Sequence, residues 1–221
     1  MKRAGLLADT GESPDMALHI TAISRTAALP MVLWLAAGAG GLAALSAYAY
    51  AAGPTTPAPA SWPGETDLGP LNGAPAVVFF AHPRCPCTRA SLAEFERALA
   101  MTTREPALHF VFFTKPGEPD GWAHTDLWRR AQRLRGAALH RDPGGAIAER
   151  FGVTTSGDVM YFDSAGVRRF RGGVTSARSH EGNNDGRTAL AALLQGETTP
   201  VSTTPVYGCA ISCSDGPETD R

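Results

Sequence analysis

The stretch that decides the fold is "VFFAHPRCPCTRASLAEF", residues 78–95, where an apolar run meets two cysteines and then a helical pattern. The run begins earlier, as "APAVVFFA" at 74–81, and its unbroken hydrophobicity predicts a strand covered on both faces. After Cys87, Leu92, Phe95 and Leu99 recur at i, i+3 and i+7, the stripe of an amphipathic helix over 88–101. Cys85 and Cys87 therefore stand where a buried strand turns into a helix, separated only by Pro86.

The alternation continues outward. "ALHFVFFT" at 107–114 predicts a second buried strand, and Leu127, Ala131 and Leu134 mark a helix over about 122–135. "AALH" at 137–140 suits a short edge strand. In "DPGGAIAERFG", Asp142 is the expected N-cap, Pro143 the first helical residue and Gly152 the stop. "DVMYFDSAGVRRFRGG" predicts a hairpin about Ser164-Ala165-Gly166, and "DGRTALAALLQG" a last helix capped by Asp185 and ended by Gly196. This is an α/β pattern, with right-handed crossovers on a mixed central sheet.

The chain has 221 residues and a formal net charge of −1, with no dense Lys/Arg stripe, so nothing points to nucleic acid. From Ala27 to Ala52 no residue is charged, and about 24 helical residues rise roughly 36 Å, enough to cross a bilayer core. Lys2, Arg3 and Arg25 precede this span and no Lys or Arg follows it until Arg84. The expectation is a cytoplasmic N-terminus and an extracytoplasmic remainder, periplasmic in a Gram-negative cell. A cleaved signal peptide is the alternative, since Ala47-Tyr48-Ala49 fits a small-x-small site. The expected organisation is a disordered segment 1–26, a transmembrane helix 27–52, a proline-rich spacer 53–66, a domain 67–196 and a tail 197–221.

The order of elements, with cysteines at the first strand-to-helix junction, resembles the thioredoxin superfamily and implies its three-layer fold. "DPGGAIAERFGV" and "VMYFDSAGVRRFRGG" resemble the second half of membrane-tethered, extracytoplasmic thioredoxin-like proteins and of peroxiredoxin relatives. "HPRCPCTRAS", "TTSGDVMYFD" and "TPVYGC" are similar to a group of anchored bacterial proteins described as RedB-like. The resemblance implies a thiol–disulfide oxidoreductase acting on exported protein thiols or a redox partner. Two departures stand out. The family's Cys-x-x-Cys is here Cys-Pro-Cys, so that aligning Pro86-Cys87 puts Arg84 in the usual attacking position. The family's cis-proline position falls on Gly157 in "TTSGD".

Four cysteines form two close pairs, Cys85/Cys87 and Cys209/Cys213. A helix N-terminus favours a thiolate, and Arg84 and Arg89 add positive charge. Cys85, on an exposed turn, is the expected attacking sulfur and Cys87 the resolving one, with the reverse assignment also open. The tail pair is either a relay that exchanges disulfides with the first pair or a bridge that staples the tail. The rival reading is a copper or zinc protein using Cys85, Cys87, Cys209 and Cys213, with His82 or His180 nearby. A third is an anchored scaffold with inert thiols. His82 ends the first strand and suits tuning of the thiol. His180 and Glu181 lie in the polar stretch 174–187, which is either a solvated loop or an arm reaching the cysteines. His109, on a buried strand, suits a core role. Nothing in the chain matches a phosphate loop, a haem Cys-x-x-Cys-His or a dinucleotide motif, so no cofactor is expected.

Overall fold

In the computed structural model, residues 14–64, 66–102 and 104–211 are described, apart from the side chains of residues 14–27 and Asp120. Two compact units divide at residues 47 and 48. The first is most of helix α1 (Pro14–Ala49), whose apolar part Ala28–Ala49 is 22 residues long with no residue buried. At 1.5 Å per residue it measures about 33 Å, against about 30 Å of bilayer hydrocarbon. Such a helix suits a signal anchor or a membrane span. Helix begins at Pro14, inside the segment 1–26 expected to be disordered, and the rest of that segment lies outside the described residues. Proline is tolerated at a first helical position, and no further proline interrupts the chain until Pro30.

The second unit is built on strands β1 (Ala76–Ala81), β2 (Ala107–Thr114), β3 (Ala137–Pro143), β4 (Val159–Phe162) and β5 (Arg168–Gly172). Their order in the sheet is β3-β2-β1-β4-β5. β1, β2 and β3 run parallel, while β4 is antiparallel to β1 and β5 to β4. Helix α2 (Cys87–Ala100) makes the first crossover, α3 (Asp126–Gln132) the second, and α4 (Ala146–Arg150) and α5 (Asp185–Gln195) follow β3 and β5.

All six residues of β1 are buried, and their alternation feeds two cores. Val77, Phe79 and Ala81 meet Leu92 and Phe95 of α2, Leu127 of α3 and Leu190 and Leu194 of α5. Val78 and Phe80 meet Ile147 and Phe151 around α4, together with Leu68 and Ile211. Each large side chain so buried contributes about 1.5–3 kcal/mol. The result is a helix–sheet–helix sandwich with a mixed sheet and the cysteines at the C-terminal end of its central strand, which is the thioredoxin-like arrangement.

Several local expectations are corrected. The edge strand β3 runs to Pro143 because its whole length pairs with β2, from Leu108↔Ala137 to Thr114↔Pro143. Asp142 and Pro143 therefore end a strand instead of opening a helix, which starts at Ala146. The Asp142 carboxylate still caps α4, accepting from Ile147 N (2.8 Å) and Ala148 N (3.0 Å) across a turn at Gly144 and Gly145, both at positive φ. The helix expected over 122–135 divides into a 3-10 turn at Asp120–Ala123 and the short α3. Asn184, one residue before the expected cap, caps α5 by accepting from Arg187 N at 2.8 Å.

The proline-rich segment is not a free spacer. Gly53 N donates to Val206 O at 2.8 Å, Trp62 N donates to Gly166 O at 2.7 Å, and Thr56 O accepts from Arg171 Nη1 at 2.6 Å. An extended proline-rich backbone forms no internal hydrogen bonds, so its carbonyls are free to accept from a neighbouring edge. Arg171 anchors this contact from below through Asp158, at 3.0 Å.

Candidate functional site

The turn from β1 into α2 begins with Cys85 N donating to His82 O at 3.1 Å, and the helix starts at Cys87 with Pro86 as its cap. Pro86 has no N–H to leave unsatisfied, and its φ of −65° already suits the helix. Both cysteines are buried, Cys85 at 2% exposure, so the exposed turn expected for Cys85 is not found. The cover is the C-terminal tail.

That tail first runs along β5, where Thr204 N donates to Arg171 O at 3.1 Å, and then buries Val206. It next crosses the loop before β4: Ser156 N donates to Cys209 O (2.8 Å), Ile211 N donates to Thr154 O (2.9 Å), and Thr155 pairs antiparallel with Ala210. Arg178 Nη1 holds Gly208 O at 2.6 Å. Glycine is required at 208, because a Cβ there would sit 1.8 Å from Ser156 O.

The crossing delivers Cys209 Sγ to 2.9 Å from Cys85 Sγ. The sulfurs of Cys85, Cys87 and Cys209 all lie within 4.8 Å of one another. Cys213, the fourth cysteine, is outside the described residues. His82 and His180 are not part of the sulfur cluster, and His180 is exposed on its loop.

Which of the close pair holds the proton follows from their other neighbours. Cys209 gives its S–H hydrogen bond to Cys85, and Thr88 adds hydrogen bonds from its hydroxyl and backbone N–H, as does the Cys209 backbone. These outweigh burial and hold the Cys85 thiol down at about 4. Cys209 is pushed far up by the same contact, by burial and by the charge on Cys85, so it remains a thiol. A file of donors supports the thiolate from below. His82 N donates to Ser156 Oγ (2.8 Å), and Ser156 Oγ lies 2.6 Å from Thr88 Oγ1. The Thr88 hydroxyl, held in place by Ser156, donates to Cys85.

The arginines have other duties. Arg84 stacks its guanidinium over the Trp122 ring at 4.7 Å, and Arg89 pairs with Asp126 at 2.8 Å. Neither is among the leading causes of the depressed Cys85 thiol. The His82 ring stacks on Phe113 (5.7 Å) and meets Trp122 edge-on (5.9 Å). Burial lowers its basicity first; the charge on Cys85 opposes this and Arg84 adds to it. Gly157 lies beside Ser91 of α2, at φ +92°, with N donating to Phe80 O at 2.8 Å. A Cβ there would lie 3.0 Å from Ser91 Oγ. Among the described residues no peptide bond is cis.

A groove of about 510 Å³ opens beside Cys85, lined by Pro83, Arg84, Arg89 and Thr125 among others. A cavity of similar size, about 550 Å³, is lined by Leu99, Leu108 and Leu134, at the opposite end of β2 from the sulfurs. Thr88, Ser156, Arg178 and Gly208 are the site residues that sequence reasoning missed. Only "TTSGD" and "YGC" carried a signal, in the small residues flanking Gly157 and Cys209.

No family model and no curated protein matches the chain. Solved structures similar to it include a hypothetical protein of Sinorhizobium meliloti, at 20% identity and TM-score 0.45, covering 66% of this chain and 83% of that one. A secreted disulfide oxidoreductase of Mycobacterium tuberculosis, homologous to E. coli DsbE, is 19% identical at TM-score 0.37, covering 57% and 84%. An exposed lipoprotein thioredoxin of Streptococcus pneumoniae is 17% identical at TM-score 0.37, covering 57% and 87%. Likeness at this level says nothing about chemistry, which has to come from this chain's own sulfurs.

Proposed function

We propose that this chain is a membrane-tethered thiol–disulfide oxidoreductase of the extracytoplasmic side, with Cys85 as the attacking sulfur. The observation that carries the reading is the trio of sulfurs at a helix N-terminus, with Cys85 held as a thiolate 2.9 Å from the Cys209 thiol. The thiolate is the nucleophile, and that separation is the length of a near-attack contact.

The exchange runs in two steps. Cys85 Sγ attacks one sulfur of a partner disulfide, the S–S bond breaks, and the partner's other sulfur leaves as a thiolate. Cys209, once deprotonated by that leaving thiolate, attacks Cys85 Sγ, releases the first partner sulfur and leaves a Cys85–Cys209 disulfide. Cys87 can then displace Cys209 from Cys85, which returns Cys209 to a thiol. Every step exchanges one S–S bond for another and needs no external oxidant. Because a stabilised thiolate is also a good leaving group, the resulting disulfide is readily reduced and suits donation to partner thiols. Charges in the N-terminal segment, Lys2, Arg3 and Arg25, support a cytoplasmic N-terminus and an exported domain.

Titrating the purified full chain in detergent through a graded glutathione buffer, with peptide mapping under non-reducing conditions, tests this. The expected result is a reversible two-electron transition that ends in a Cys85–Cys209 or a Cys85–Cys87 disulfide. Thiols unchanged across the whole range would refute it.

The three sulfurs within 4.8 Å favour a second reading, a thiolate site for a soft cation such as Cu(I) or Zn(II). Zn–S bonds of about 2.3 Å set three ligand sulfurs about 4 Å apart, so Cys85 and Cys209 would have to separate by about 1 Å. Stoichiometric metal that protects these thiols from alkylation would favour this alternative.

A further inference from the structure

Residues 207–211 lie across the loop at 154–156 as an extended peptide lies in a binding cleft. Two backbone hydrogen bonds, Ser156 N to Cys209 O and Ile211 N to Thr154 O, frame the antiparallel pair Thr155↔Ala210. Alternate side chains have alternate fates, as on any strand. Cys209 meets Cys85, Ala210 is exposed, and Ile211 is 3% exposed in the core that holds Val153 and Phe151. The residue before the cysteine has no room for a side chain, since its Cβ would lie 1.8 Å from Ser156 O.

We infer that this loop is a peptide-docking cleft, occupied at rest by the chain's own tail, and that its substrates are extended polypeptide segments with glycine immediately before the reacting cysteine and an aliphatic residue two places after it. The inference rests on Cys85 being the attacking sulfur. Cys209 Sγ stands where an incoming sulfur must stand, so the tail lifts for a substrate to dock, and Cys209 returns to resolve the mixed disulfide as the substrate backbone leaves the cleft. The tail has a fixed point to swing from, because Thr203 pairs with Arg171 on β5 and Val206 is buried. Among the described residues, freeing the cleft therefore requires 207–211 alone to lift. Three positions then set specificity: no side chain before the cysteine, tolerance directly after it, and an apolar side chain next.

The test uses the reduced full chain in detergent and two synthetic peptides, Tyr-Gly-Cys-Ala-Ile-Ser and Tyr-Ala-Cys-Ala-Ile-Ser. Each cysteine is carried as a mixed disulfide with a coloured aryl thiol. When Cys85 Sγ bonds to the peptide sulfur, the aryl S–S bond breaks and the arylthiolate leaves with its electron pair, which is read by absorbance. Rates are normalised to the reaction of each peptide with glutathione. Two variants unseat the tail by different means, Gly208→Ala by collision and Ile211→Asp by burying a charge. In both, the glycine peptide is expected to react at least about tenfold faster than the alanine peptide, the discrimination one methyl group can supply at a tight contact. It should also react faster with either variant than with the unaltered chain. Equal rates for the two peptides in a folded variant would overturn the inference and leave the redox reading standing. Failure of every chain to release arylthiolate, even from a simple aryl disulfide, would overturn both.

Discussion

Replacing Cys209 by alanine removes the largest single support of the Cys85 thiolate while leaving the tail's backbone contacts in place. The lost interaction is an S–H hydrogen bond to a charged sulfur 2.9 Å away. Hydrogen bonds to charged groups are worth about 1.5–3 kcal/mol, and 1.36 kcal/mol corresponds to one pKa unit, so the Cys85 thiol should rise by about 1–2 units. From about 4 in the unaltered chain it moves to roughly 5–6, with Thr88 and the Cys209 backbone N–H retaining the rest of the depression. At neutral pH both proteins then hold a thiolate, whereas near pH 5 the variant has lost a large part of it. Ultraviolet thiolate absorbance measured against pH, with a Cys85→Ser chain subtracted, gives the midpoint directly. Cys209→Ser, whose hydroxyl can still donate, should fall between the two. An unmoved midpoint in Cys209→Ala would refute the assignment of Cys209 as donor. A midpoint near that of an ordinary thiol in the unaltered chain would refute the whole electrostatic account.

Thr88→Val removes a buried hydroxyl, takes away one of the two partners of Ser156 Oγ and deprives Cys85 of a donor; it should cost about 1–3 kcal/mol in chemical denaturation and raise the Cys85 midpoint. A stable variant with an unchanged midpoint would break the donor file from His82 to Cys85. Glu94 is fully buried on α2, where its carboxylate accepts from Arg187 Nη1 (2.6 Å) and Gly182 N (2.8 Å). Glu94→Gln should lose about 3 kcal/mol, because Arg187 keeps its charge without a counter-ion; denaturant unfolding that matches the parent would contradict this. His109 and His140 contact at 3.1 Å, and burial holds His109 down at about 4, with the neighbouring His140 charge adding to it. A folded pKa below the ordinary 6.5 means the unfolded chain binds more protons in between, so this contribution is complete above about 6.5 and is lost as pH falls toward 4. The stability of His109→Gln should depend less on pH over that window, and identical slopes would contradict the prediction.

The strand-and-helix order was legible because burial writes itself into local patterns. Strand β1, covered on both faces, could only be an apolar run, and α2 could only carry its stripe at helical spacing. Element ends were less legible. β3 outran its apolar residues because pairing with β2 carries Arg141 and Asp142 along with the ladder. Asp142 kept its capping role from the end of a strand, which chain order alone does not suggest. Arg84 and Arg89 were visible as charges, but their rings and counter-ions, Trp122 and Asp126, were distant in sequence.

The sequence by itself determined that two cysteines meet at the mouth of a helix, and that an apolar helix precedes an α/β domain. Both are written in residues next to one another along the chain. Only the tertiary structure decided which sulfur bears the charge. The donors on Cys85 come from its own helix and from a tail 124 positions away, brought together by a backbone crossing at residues 154–156. Hydrogen bonds of that kind act over about 3 Å of space whatever the separation along the chain, so no local pattern records them.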